Sequence, residues 1–349
     1  MSFSEKCRKN NIFAIYPAIF LTNEPKNVRY FSAISIWKKS MRYIFVHRDY
    51  PYAFVQVVSH RTSTACSPPV RGTTKIHPAT LYAMFIGGAD FIMVCGGAQA
   101  IASMAFGLFT GRSVDMIVGP GNSYVAEAKR FLYGKVGIDM FAGPTEVLIL
   151  ADSDADSHIV ATDLVSQAEH GPTSPAWLIT DCEKLANEVI KKVPELLETL
   201  PEDNAARVSW LDYGEVLLVK NRDQMRILSD RYAAEHLQIL CGDLDWWLFS
   251  LRNYGSLFLG EETCVTYGDK ISGPNHTLPT LRGSRYTAGL GVDKYVKKLT
   301  YQRMTRAANR ELGPIAARIS RTEGMEGHAR SGDERVKKYF PGEKFDLGN

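Results

Sequence analysis

Several things are missing from this chain of 349 residues, and each absence narrows what it does. Its six cysteines (Cys7, Cys66, Cys95, Cys182, Cys241 and Cys264) are scattered, with no CxxC and no paired spacing. That excludes a disulfide framework and a cysteine-type zinc site, and it points to free thiols in a reducing compartment. The apolar run near the start, Ile12–Leu21, is broken by Pro17 and falls well short of the roughly 20 residues a membrane span needs. A basic stretch precedes it in the manner of a secretory signal, but no small-residue cleavage site follows, so a cytoplasmic protein is expected and no membrane partner. No basic stripe is present. Residues 1–50 carry nine Lys/Arg against three Asp/Glu, whereas the remaining residues carry 32 against 35. The net charge of +3 therefore sits at the start of a slightly acidic body, and nucleic acid is not an expected partner. There is no GxGxxG and no short-period repeat.

What is present becomes regular only after about residue 64. Twelve aromatics fall within the first 54 residues without helical or strand period. Residues 1–58 read as a peripheral segment, or as one not native to the domain that follows. Beyond them, strands and helices alternate. A helix is expected over 78–88, a strand over 91–95, a helix over 98–106, a strand over 114–118 and a helix over 124–133. The alternation resumes with strands at 147–150, 176–179, 216–219, 237–240 and 256–259. Helices separate them, and the tail from Lys294 is charged and helical. Such alternation requires parallel crossovers, hence an α/β fold with a sheet covered on both faces.

Six stretches carry ligand-capable or proton-transferring groups. Gly96-Gly97 and Gly119-Pro120-Gly121-Asn122 each join a strand to a helix, where backbone amides can cradle an anion; a plain tight turn explains each equally well. In DLVSQAEHG, expected as the end of a helix running to Gly171-Pro172, Gln167 and His170 are three residues apart and offer neutral lone pairs to a borderline metal; a solvent-facing helix end explains them too. Glu235-His236 lies at a helix–strand junction and pairs a carboxyl with an imidazole, enough for two proton transfers; the plainer reading is a surface Glu beside a half-buried His. Asp269 and His276 lie in an expected glycine-rich loop that lets polar groups converge, a polar turn explaining it about as well, and Glu323 and His328 lie five apart in RTEGMEGHAR. Together Gln167, His170, Asp269 and His328 make a mixed nitrogen and oxygen set suited to zinc, though spacing alone does not bring them together.

The motifs GGAQAIA, GPGNSYVAEAKR, GIDMFAGPTEVLILAD, DLVSQAEHG, AAEHLQI and GDKISGPNHTLPT, in this order, resemble those of the histidinol dehydrogenase family over residues 64–340. The resemblance implies two incomplete Rossmann-like parallel-sheet domains and a helical C-terminal dimerisation segment. Their expected bounds are 1–58 for the atypical start, 59–142, 143–290 and 291–349. It implies one zinc ion per subunit, held by Gln167, His170, Asp269 and His328. It implies NAD at Gln99 and Asn122. It implies Glu235 and His236 as the acid–base pair, and substrate contacts from Thr145, Gln167, His170, His276 and Glu323. The implied reaction takes a primary alcohol, L-histidinol, through the aldehyde to the carboxylate at the end of histidine biosynthesis. The implied assembly is a homodimer with crossed C-terminal segments. Three features depart from the family. Residues 1–58 do not resemble its N-terminal part, Thr145 stands where serine is common, and the tail HARSGDERVKKYFP is closer to relatives acting on sulfopropanediol. The alternatives are therefore an enzyme for such a small diol, or a truncated zinc-binding remnant without catalysis.

Overall fold

A computed structural model describes residues 55–57 and 63–348, so most of the atypical start, expected as residues 1–58, lies outside the described residues. By their contacts the described residues form two compact units, the first Val57–Lys297 and the second residues 55–56 together with the chain from Lys298.

Strand β1 (Val55–Val57) comes first in the described chain, followed by β2 (Thr64–Ser67), helix α1 (Pro78–Ile86), β3 (Phe91–Val94) and α2 (Gly97–Phe106). Strand β4 (Met116–Ile117), helix α3 (Ser123–Leu132) and β5 (Gly137–Ile138) follow. Parallel pairs β2–β3 and β4–β5 form two separate two-stranded sheets. Small residues in α2 let Ile101 and Ala105 close on Ile117, Leu132 and Val136, giving this part a modest core.

The larger sheet lies beyond. Its strands are β6 (Val147–Ala151), β7 (Ala176–Thr180), β8 (Gly214–Leu218), β9 (His236–Leu240) and β10 (Ser256–Leu259). Helices α4 (Ser157–Ala168), α5 (Glu183–Glu198), α6 (Ala206–Tyr213), α7 (Arg222–Tyr232) and α8 (Leu244–Ser250) alternate with them. The strands are all parallel in the order β10-β9-β6-β7-β8, the doubly wound arrangement in which the chain starts at the centre, moves to one side and then returns to the other. The sequence VLILA of β6 has no polar residue because the sheet is covered on both faces, and all five residues are fully buried. Its side chains alternate. Val147, Ile149 and Ala151 pack with Leu164 of α4 and Val189 of α5. Leu148 and Leu150 pack with Met225 of α7 and Trp247 of α8. Cutting Ile149 to alanine in such a site costs about 2–5 kcal/mol, enough to threaten the domain.

After β10 comes the short helix α9 (Val265–Lys270), then mostly irregular chain to β11 (Val296–Lys298). The second unit is a helical hairpin, α10 (Arg306–Thr322) against α11 (Glu326–Tyr339). Its helices approach closely through Gly313 and Gly332, where an added Cβ at Gly332 would lie 2.9 Å from the Gly313 carbonyl oxygen. Arg321 and Asp333 tie them by a 2.6 Å ion pair. Among the described residues no helix is long and apolar enough to cross a membrane.

Candidate active site

The amino edge of the large sheet gathers most of the residues singled out in the sequence. His236 is the first residue of β9 and Glu235 the residue before it, beside Thr145 and Glu146 at the head of the neighbouring β6. The pairing of these two parallel strands is what brings residues ninety positions apart into contact. Gly255 completes the edge, because a Cβ there would meet the Glu235 carbonyl oxygen at 2.5 Å and push β10 away.

A chain of hydrogen bonds runs through these groups. Gln167 donates from Nε2 to the Thr145 hydroxyl at 2.8 Å, and Thr145 donates to Glu235 Oε2 at 2.5 Å. This leaves the Gln167 carbonyl oxygen available as a ligand. Glu146 and Glu235 form a reciprocal latch: the Glu146 amide donates to Glu235 Oε2 at 3.0 Å, and the Glu235 amide donates to Glu146 Oε1 at 3.2 Å. His236 Nδ1 lies 3.0 Å from the Glu146 carbonyl oxygen, which can only accept, so Nδ1 carries the proton and Nε2 presents its lone pair. That Nε2 is buried without a hydrogen-bond partner. It faces Asp269 Oδ1 at 3.9 Å, in a cavity of about 100 Å³ lined also by Asn275, His276 and Ser256.

Burial decides the protonation states. It pushes the Glu235 carboxyl up to about 8, although bonds from Thr145 and the Glu146 amide resist, and Glu146 and Asp269 add repulsion. Burial likewise raises Glu146 to about 7. It lowers the pKa of His236, so that ring is a neutral base at physiological pH.

The remaining residues vary in how they join this group. Gln167 is buried near the end of α4. His170 is exposed beyond the helix, which ends at Ala168 rather than running to Gly171. Asp269 belongs to the short helix α9 rather than to a loop, because Gly268 packs flat on Phe258, where a Cβ would sit 2.6 Å from the ring. His276 is exposed at the cavity mouth. Glu323 and His328 are exposed on the hairpin of the second unit. Gln99 is exposed in the first turn of α2, whose N-terminal amides have no side-chain cap and stand open to an anion. Asn122 caps α3, accepting from the Val125 amide at 3.2 Å.

Sequence reasoning passed over Glu146 and Gln238. Glu146 sits immediately before a fully apolar strand, and an acid in that place was the available signal. Gln238 interrupts the buried strand HLQIL and donates to Asp163 Oδ2 at 2.6 Å, tying α4 to β9. In kind, Gln167, His170 and Asp269 suit zinc, and the orphaned His236 Nε2 marks a space that wants a polar guest. Among the described residues no three His, Cys, Asp or Glu side chains form a metal cluster.

Comparison with known proteins agrees with the motifs. The family model for histidinol dehydrogenase matches residues 54–336. Sulfopropanediol 3-dehydrogenase of Ruegeria pomeroyi is 58% identical over 286 residues, covering 81% of this chain and 65% of that protein. Histidinol dehydrogenase of Nitrobacter winogradskyi is 45% identical, over 74% of this chain and 60% of that one. The crystal structure of histidinol dehydrogenase from Elizabethkingia anophelis superposes with a TM-score of 0.71 at 36% identity, over 79% of this chain and 63% of that one. The chain thus spans under two thirds of the length of each of these relatives.

Proposed function

Because the chain belongs to the histidinol dehydrogenase family, we propose that it carries out zinc- and NAD-dependent oxidation of a small alcohol through the aldehyde to the carboxylate. The observation that carries this reading is the buried, orphaned Nε2 of His236, held in its basic tautomer beside a protonated Glu235. His236 takes the alcohol proton at Nε2. Glu235, once it has lost its own proton, draws one from the water that hydrates the aldehyde. Thr145 holds Glu235 and Gln167 in one geometry, so the base and a ligand are positioned together. When bound, zinc would fix the substrate's donor atoms and NAD would accept hydride.

In this proposal Gln167, His170 and Asp269 hold zinc together with the partner's His328, in a homodimer whose C-terminal segments cross. Gln99 and Asn122 contact NAD, the open amides of α2 suiting its phosphates. Thr145, Gln167, His170, His276 and the partner's Glu323 contact substrate. The cavity lining holds Asp269 and two histidines and no lysine or arginine, which suits an amine-bearing alcohol such as L-histidinol better than an anion. The second reading, an anionic diol such as sulfopropanediol, is favoured by the 58% identity to an enzyme named for it, against 45% for a histidinol dehydrogenase.

NADH formation by zinc-loaded protein, with the two alcohols side by side, tests the proposal. Turnover of either supports it and selects the substrate. Absence of turnover with both, in folded protein containing zinc, contradicts it and leaves the non-catalytic zinc-binding reading.

A further inference from the structure

The Gly119–Asn122 turn is held from below by a buried ion pair that no proton-transfer or ligand role explains. Lys129, on α3, is 1% exposed, and Asp139, just after β5, is 6% exposed. They bond each other, and each also takes one end of the same glycine. Lys129 Nζ donates to the Gly119 carbonyl oxygen at 2.9 Å, while the Gly119 amide donates to Asp139 Oδ2 at 2.8 Å. The second carboxylate oxygen, Oδ1, also accepts from the Met140 amide at 2.7 Å. Gly119 itself has φ +120°, a conformation that side-chain-bearing residues avoid, so the turn is one the chain must be held in. Gly121 follows with no room for a side chain, since a Cβ would lie 2.5 Å from Val125 Cβ.

A buried pair of this kind is a poor way to gain stability. Removing two charges from water costs several kcal/mol, and apolar residues of similar volume commonly do as well or better. What it does supply is direction. Two hydrogen bonds at the carboxyl end of β4 fix both the N–H and the C=O of one peptide residue, which apolar packing cannot do. Three residues on, the turn ends at Asn122, whose side-chain oxygen is committed to capping α3 and whose position therefore follows the turn.

We infer that Lys129 and Asp139 are positioning residues for the nucleotide-binding turn, clamping Gly119 so that Asn122 is presented to the cofactor in a fixed place. This rests on the proposal that NAD binds at Asn122. The clamp acts on affinity by removing the need to order the turn on binding. It makes no contact with the acid–base pair at the head of β9, and zinc content is independent of it.

The test compares the full-length protein with Lys129→Met/Asp139→Leu, which removes both charges together and leaves neither unpaired. NAD titration, zinc content, thermal unfolding and amide exchange of the segment containing Gly119 are measured on each. The expected result is NAD binding about tenfold weaker, faster exchange at the turn, and unchanged zinc content. Leu132→Ala, a core truncation in the same helix, controls for a purely structural effect: it lowers the melting temperature while NAD affinity stays near that of the parent. If the double variant does not fold, Lys129→Met/Asp139→Asn, which keeps one acceptor for Gly119, replaces it with the same expected direction. Equal NAD affinity in parent and clamp variant overturns the inference, as does a loss matched by Leu132→Ala at equal stability. No saturable NAD binding to the parent overturns the cofactor proposal itself, and the clamp's role falls with it.

Discussion

The two edges of the five-stranded sheet are made by the same strands and hold opposite kinds of polar group. At the carboxyl edge Asp152, Asp181, Asn221, Arg222 and Asp243 line a cavity of about 420 Å³. Its carboxylates are wet and occupied in ordinary ways: Asp152 accepts from the Gly242 amide, and Asp243 pairs loosely with Arg222 at 3.6 Å. At the amino edge the cavity is a quarter of that size, yet Glu146, Glu235 and His236 are all buried there and one ring nitrogen has no partner. Doubly wound sheets commonly bind ligands at the carboxyl edge. Here the larger hollow lies at that edge, and the groups withdrawn from water lie at the other. Withdrawal moves protonation equilibria into the range where proton transfer is useful, and cavity volume does not.

The sharpest way to break this comparison is His236→Asn. We expect NADH formation to fall about 10²- to 10⁴-fold, the range for loss of a general base, with zinc retained. Loss of the metal from that variant would make His236 a ligand. Next, His170→Ala and His328→Ala should each lower zinc content. Verified mixed dimers of the two should recover part of it, because half of their sites would then be intact. Absence of recovery would count against crossed segments. A smaller effect, about tenfold in rate, is expected for Thr145→Ala, which unties Glu235 from Gln167 while Thr145→Ser keeps the hydroxyl.

The pH dependence of stability sharpens the same contrast. Glu146 and Glu235 titrate at about 7 and about 8 in the folded protein, against 4.5 ordinarily, so the folded state binds their protons more tightly. Their contribution is fully present below pH 4.5 and is lost as pH rises through 7 to 8. His236, lowered by burial, works in the opposite sense, gaining as pH rises past its ordinary 6.5. Melting curves between these limits should therefore flatten in Glu146→Gln/Glu235→Gln. A slope unchanged in the double variant would mean the two acids are not held protonated.

Much of this was legible in the sequence, for identifiable reasons. The strands at 147–150, 176–179 and 237–240 appear almost residue for residue, because burial on both faces leaves predominantly apolar runs, broken only by Gln238 in the last. Glu235-His236 was readable because a polar pair stands directly before such a run. Glu146 stands in the same relation to β6, but only the pairing of β6 with β9 shows that it latches onto Glu235. The end of α4 at Ala168 and the helical setting of Asp269 depend on tertiary packing, the latter on Gly268 against Phe258, which local pattern does not record. Strand 114–118 shrank to two residues, paired among the described residues with the equally short β5.

The most direct measurement sets the two edges against each other in one assay. NADH formation is followed for the parent, His236→Asn and Asp181→Asn, with L-histidinol and sulfopropanediol as substrates and melting temperatures recorded for each protein. The amino-edge account predicts that His236→Asn is all but inactive at parental stability, and that Asp181→Asn keeps the parental rate. The reverse pattern, with activity lost at Asp181 and kept at His236, would place the chemistry at the carboxyl edge and contradict it.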